Sequence, residues 1–190
     1  VAVASGAALG DDLQPLSARA RGGGEGREGP TRATTAADRP LAVALGQERA
    51  ATEASLKAHA YCHSAQGRLR EERFPRCDRP GSELNTSWVD VEYDSASVGG
   101  RARRVRRWER YADDAHASQR WNALVEARAL AGPPSAVVRS ALLAHEELPL
   151  GTHAWAAFRI DAATVVGVYL LDRGAPNGPA VLEQIVALPE

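Results

Sequence analysis

The stretch TVVGVYLLD, residues 164–172, constrains this chain more than any other. Val165, Val166, Val168, Tyr169, Leu170 and Leu171 put apolar groups on both faces of an extended segment. Such a strand needs neighbours on either side and cover above and below, so it belongs in the middle of a sheet. HAWAAFRID precedes it, and Ala162-Ala163 between the two predicts a hairpin over about 153–172. A 190-residue chain with 44% hydrophobic residues can bury a core of that kind in one domain. Aromatic residues make up only 5%, which leaves most of the packing to Val, Leu and Ala.

The core cannot begin at residue 1. Residues 1–40 hold seven of the 17 glycines, including RGGGEGREGP, and almost no large apolar side chains. Too little surface can be buried there to offset backbone entropy, which predicts a flexible N-terminal arm over 1–40 and a single domain over 41–190. Methionine is absent throughout, and VAVASGAAL resembles the end of a signal-peptide apolar region. Both features predict a mature chain with a secretory history. No run of about 18 apolar residues occurs, so no membrane-spanning helix is expected.

Residues 42–73 are rich in Ala, Glu, Gln and Arg and free of proline, with Glu53 and Lys57 at the favourable i,i+4 spacing. They predict an N-terminal helix, broken at Pro75. TSWVDVEYDS reads as a strand with one apolar and one acidic face. Residues 101–112 are ambiguous. Val105, Trp108 and Tyr111 recur at helical spacing, yet an acidic strand turning through Gly99-Gly100 into a basic one would set opposite charges across a hairpin. The hairpin is the preferred reading. HASQRWNALVEARALAG and PPSAVVRSALLAHEEL predict two central helices, and AVLEQIVALPE a short closing helix. The expected fold class is α+β, with an N-terminal helix, two central helices and a short antiparallel sheet that includes the hairpin at 153–172.

Three constellations could carry chemistry. The first is His59, Cys62, His63 and Cys77. Two imidazoles and two sulfurs suit tetrahedral zinc, but adjacent helical residues point about 100° apart, so Cys62 and His63 do not readily share one ion. A Cys62–Cys77 disulfide is the preferred alternative, closing its loop at a gain of roughly 3 kcal/mol. The sequon at Asn85–Ser87 predicts N-glycosylation of Asn85 and, with the disulfide, an oxidising compartment.

The second constellation is the arginine run Arg101, Arg103, Arg104, Arg106, Arg107 and Arg110, interleaved with Trp108. Guanidinium groups beside aromatics suit phosphate pairing and base stacking. A net charge of −1 argues against a dedicated polyanion binder and for pairing with nearby acids. Lys57 is the only lysine among 23 basic residues, a bias that a GC-rich genome explains without function. In the third, HEELPLGTH, His145 and His153 miss the H-E-x-x-H spacing because Pro149 stands at the required position.

No cofactor motif is present, and little in the sequence points to catalysis. The leading expectation is a secreted or extracytoplasmic domain that binds another protein. The alternatives are an intracellular nucleic-acid-associated module built on Arg101–Arg110, with zinc as a possible stabiliser, and a hydrolase centred on His145 and His153.

Overall fold

The computed structural model describes residues 43–63, 69–78 and 84–188. The arm expected over residues 1–40 lies outside them. The element order is α1 (Arg49–Ala58), β1 (Glu71–Pro75), β2 (Leu84–Tyr93), β3 (Ala102–Tyr111), α2 (Asp114–Ala129), α3 (Ala136–His145), β4 (Thr152–Arg159), β5 (Thr164–Leu171) and β6 (Ala180–Ala187). All six strands join one sheet in the order β1-β2-β3-β6-β5-β4, and each neighbouring pair is antiparallel. Two three-stranded meanders, β1–β3 and β4–β6, therefore meet along the β3–β6 seam.

This architecture corrects the expected fold in three places. The sheet is six strands wide, not short. The helix predicted over 42–73 is a ten-residue helix followed by a strand. It stops because Ala60 takes a left-handed conformation (φ 63°) while the Ala60 and Tyr61 amides donate back to the carbonyls of Lys57 and Leu56. Beyond it, Glu72 and Phe74 are buried while Glu71, Arg73 and Pro75 are exposed, so alternation along β1 overrides local helix propensity. The closing helix is instead β6, which fills the slot between β3 and β5 with side chains buried on both faces.

The two faces of the sheet have separate cores. On the first, Leu56 of α1 and Ala117 and Leu124 of α2 pack on Val89, Val91, Val105, Val166, Val168 and Ile185. On the second, Val138 and Leu142 of α3 pack with Val165, Tyr169, Leu171, Leu182 and Val186. Successive strand residues point to opposite faces, so Val181 and Ile185 enter the first core and Leu182 and Val186 the second. Gly167 in β5 admits the Tyr169 ring on the second face, where a Cβ would collide with the phenol. That ring stacks on Trp155 with centroids 5.6 Å apart.

Charges also enter the first core. Arg107, Glu109 and Glu183 are each no more than 5% exposed. Arg107 meets Glu183 at 2.6 Å, while Arg120 of α2 donates from Nε to Glu109 at 2.8 Å and Arg128 pairs with Glu183. Burial opposes ionisation of both glutamates, but the arginines outweigh it and hold both carboxyls below their usual range. Helix α2 thus docks partly through salt bridges, in keeping with its weak apolar stripe.

Candidate ligand-binding groove

On the second face, α3 covers β4 and β5, leaving the β3–β6 seam beside it less covered. A groove of about 700 Å³ runs there, between the segment that links α3 to β4 and the loop that links β5 to β6. Trp108 and Leu182 supply its apolar floor, Arg106 and Gln184 its polar floor, and Leu150 and Pro176 its two rims. The floor follows from strand alternation: Arg104, Arg106 and Trp108 of β3 share a face with Leu182 and Gln184 of β6.

Both rims are fixed. Glu146 caps α3 and accepts from Arg104 Nη2 at 2.5 Å and Gln184 Nε2 at 3.1 Å. Arg104 also donates to Glu92 at 2.9 Å, so one guanidinium joins the rim to β2. Gly151 has φ +80°, and any Cβ there would collide with Ala175 of the opposite rim. The Asp172 amide donates to the Gly151 carbonyl at 3.1 Å and closes that end. Leu150 is 77% exposed on this frame. A smaller cavity of about 390 Å³, lined by Gly46, Asp94, Arg101 and Arg103, lies on the other side of the Arg104–Glu146 pair.

The arginine run does not form one basic surface. Arg107 points into the first core, whereas Arg104 and Arg106 lie on the second face. Arg101 pairs with Glu48, Arg104 with Glu92 and Glu146, and Arg106 with Glu71. Across the β2–β3 hairpin, Asp90 stands opposite Arg106 and Glu92 opposite Arg104. Arg103 is exposed beside a register shift, and Arg110 makes no ion pair among the described residues. Trp108 stacks on Trp88 at 5.5 Å, and Arg73 lies over the Trp88 ring.

Cys62 and Cys77 form a disulfide with Cα atoms 5.7 Å apart. Two backbone hydrogen bonds flank it, from Cys62 N to the Pro75 carbonyl and from Cys77 N to the Ala60 carbonyl, both 2.8 Å. Both sulfurs being committed, the His59–Cys62–His63–Cys77 set does not assemble. His59 Nδ1 instead lies 2.8 Å from the Ser55 carbonyl. His63 turns to Glu72 at 3.2 Å, close to Glu53, and those three could hold a cation. His145 lines the groove, while His153 is an exposed residue of β4 that does not line it. Asn85 belongs to β2. No helix among the described residues is long and apolar enough to cross a membrane.

Sequence reasoning placed His145 and three of the floor residues among its candidates but missed the groove as a unit. No local signal says that the α3–β4 and β5–β6 links border one pair of strands. Glu72 was missed because it was counted in a helix, although the alternation of REERFP was there to find. No protein-family model matches the chain, and no curated protein or solved structure is significantly similar to it.

Proposed function

We propose that this chain is an extracytoplasmic binding domain that receives an extended segment of a partner protein in the groove over β3 and β6. The groove itself carries the reading: its rims are hydrogen-bonded to the sheet and to each other, its floor mixes indole and leucine with guanidinium and amide, and Leu150 projects beside it. A pre-formed, partly apolar cleft with a few fixed polar groups keeps the ordering cost of binding low. The disulfide and the Asn85 sequon support the compartment. Nucleic acid is less favoured, because Arg104, Arg106 and Arg107 already face carboxylates.

Selection of the full chain against a displayed peptide library tests the reading. The expected result is a consensus of apolar residues with one acid, bound at least tenfold more weakly by Leu150→Asp and unchanged by Val137→Asp, an exposed α3 residue outside the groove lining. Failure to enrich any consensus, or peptides indifferent to Leu150→Asp, would overturn it. The compartment is tested on protein recovered from its source cells. Cys62 and Cys77 should be found oxidised and Asn85 glycosylated, and free thiols with a bare Asn85 would sink that part.

A further inference from the structure

On the other face of the sheet, three ligating side chains converge from separate stretches of chain. Glu53 comes from the middle of α1, His63 follows the disulfide residue Cys62, and Glu72 lies on β1. Their ligating atoms all lie within 4.8 Å of one another. His63 Nε2 stands 3.2 Å from Glu72 Oε2. Two donors about 2.0–2.1 Å from a tetrahedral zinc ion stand roughly 3.3 Å apart, so this pair already has a chelating separation.

The surroundings prepare Glu72 for such a role. It is buried, and its Oε1 accepts from Arg49 Nη1 and from the Leu69 amide at 3.1 Å. The other Arg49 donors go to the carbonyls of Ser97, Leu69 and Ser95. The guanidinium therefore orients one carboxylate oxygen and leaves Oε2 facing the imidazole, as supporting hydrogen bonds do around metal ligands. Two carboxylates against one guanidinium leave the cluster with a net negative charge while His63 is neutral.

A second observation is independent of the cluster. Tyr93 is fully buried, its ring lies 3.8 Å beneath the Arg49 guanidinium, and its hydroxyl has no hydrogen-bond partner among the described residues. The same guanidinium that lies over this ring holds Glu72 Oε1, which ties the phenol to the Glu72 end of the cluster. A buried hydroxyl without a partner is costly, and an ordered water on a bound ion would supply one.

We propose that Glu53, His63 and Glu72 form a three-ligand site for a borderline divalent cation such as Zn²⁺, with a water in the open position toward the Tyr93 hydroxyl. One imidazole and two carboxylates are a donor set suited to zinc. The ion would tie the segment carrying the disulfide to α1 and β1 and would stabilise the fold by mass action.

The test uses the full chain stripped with chelator, titrated with Zn²⁺ by calorimetry and with Co²⁺ by electronic absorption. One ion per chain and a raised Tm are expected. His63→Ala and Glu53→Gln should each weaken binding about a hundredfold or more, and Tyr93→Phe about tenfold. His116→Ala removes the half-buried imidazole beside Asp113 and should leave zinc binding unchanged. Each variant's Tm in chelator reports folding separately from binding, and Glu53→Gln serves if His63→Ala does not fold. Absence of saturable binding overturns the site, as does wild-type affinity in the folded His63→Ala or Glu53→Gln variant, or loss of binding in His116→Ala.

Discussion

The two meanders of this sheet are built from different materials. In β1–β3 charged residues recur throughout, from Glu71, Glu72 and Arg73 through Asp90 and Glu92 to the arginines of β3. In β4–β6 the only Asp, Glu, Lys or Arg residues are Arg159 and Glu183. Both meanders carry an aromatic cross-strand stack under an arginine on the second face: Trp88–Trp108 with Arg73, and Trp155–Tyr169 with Arg139. The common geometry shows that register can be set in two ways. Opposite charges select partners in the first meander, while close-packed apolar shape selects them in the second. Glu183 stands at the seam, an acid from the apolar half that receives Arg107 from the charged half.

The largest effect is expected from breaking that seam. Glu183→Ala removes the nearer carboxylate of buried Arg107, leaving it Glu109 at 3.8 Å, and removes the partner of Arg128, which should cost about 3–5 kcal/mol in urea unfolding. A loss below about 1 kcal/mol would show that the seam charges are dispensable and that the apolar half organises the sheet alone. Leu142→Ala, which opens a cavity between α3 and the second meander, should cost about 3 kcal/mol.

Solution pH separates the two halves further. Glu109 and Glu183 have folded pKa values below the unfolded value of 4.5, so their stabilisation is complete above that pH. It is lost as pH falls through the folded values. Urea stability should therefore decline on acidification below about pH 4.5, and less steeply in Glu183→Ala. At the alkaline end, Tyr61, Tyr93, Tyr111 and Tyr169 all have raised pKa values, with burial the first cause in each. Their contribution is complete below pH 10 and disappears as pH rises through the folded values. Phenolate absorbance should thus appear together with unfolding; normal titration near pH 10 in a folded chain would contradict their burial. The smallest effect belongs to an exposed pair away from the groove. Arg101→Ala removes an exposed pair with Glu48 and should change stability by less than about 1 kcal/mol.

Much of the chain's local structure was legible from residue patterns, for reasons that differ by segment. The doubly apolar run at 164–172 could only be an interior strand, and β5 lies between β4 and β6. The charge alternation of 88–107 carried enough information to pair β2 with β3, because opposite charges across a hairpin are a short-range constraint. Two segments were misread where tertiary contacts overrule local preference. REERFP follows a helix-forming stretch, yet it pairs with β2 and is stapled at its end by the disulfide. AVLEQIVA has the composition of a helix, but a vacant slot between two strands claims it.

The sequence by itself pointed to strand 164–172 inside a sheet, and it held the hairpin of acidic and basic stretches only as the preferred of two readings. It also held the Cys62–Cys77 linkage as its preferred pairing. Periodicity and charge act over a few residues, so they survive in the linear order. Only the tertiary structure decided that two loops border one groove and that the arginines divide between a buried network and a rim. It alone brought Glu53, His63 and Glu72 together, because α1, the disulfide-bearing segment and β1 meet only once the sheet is assembled.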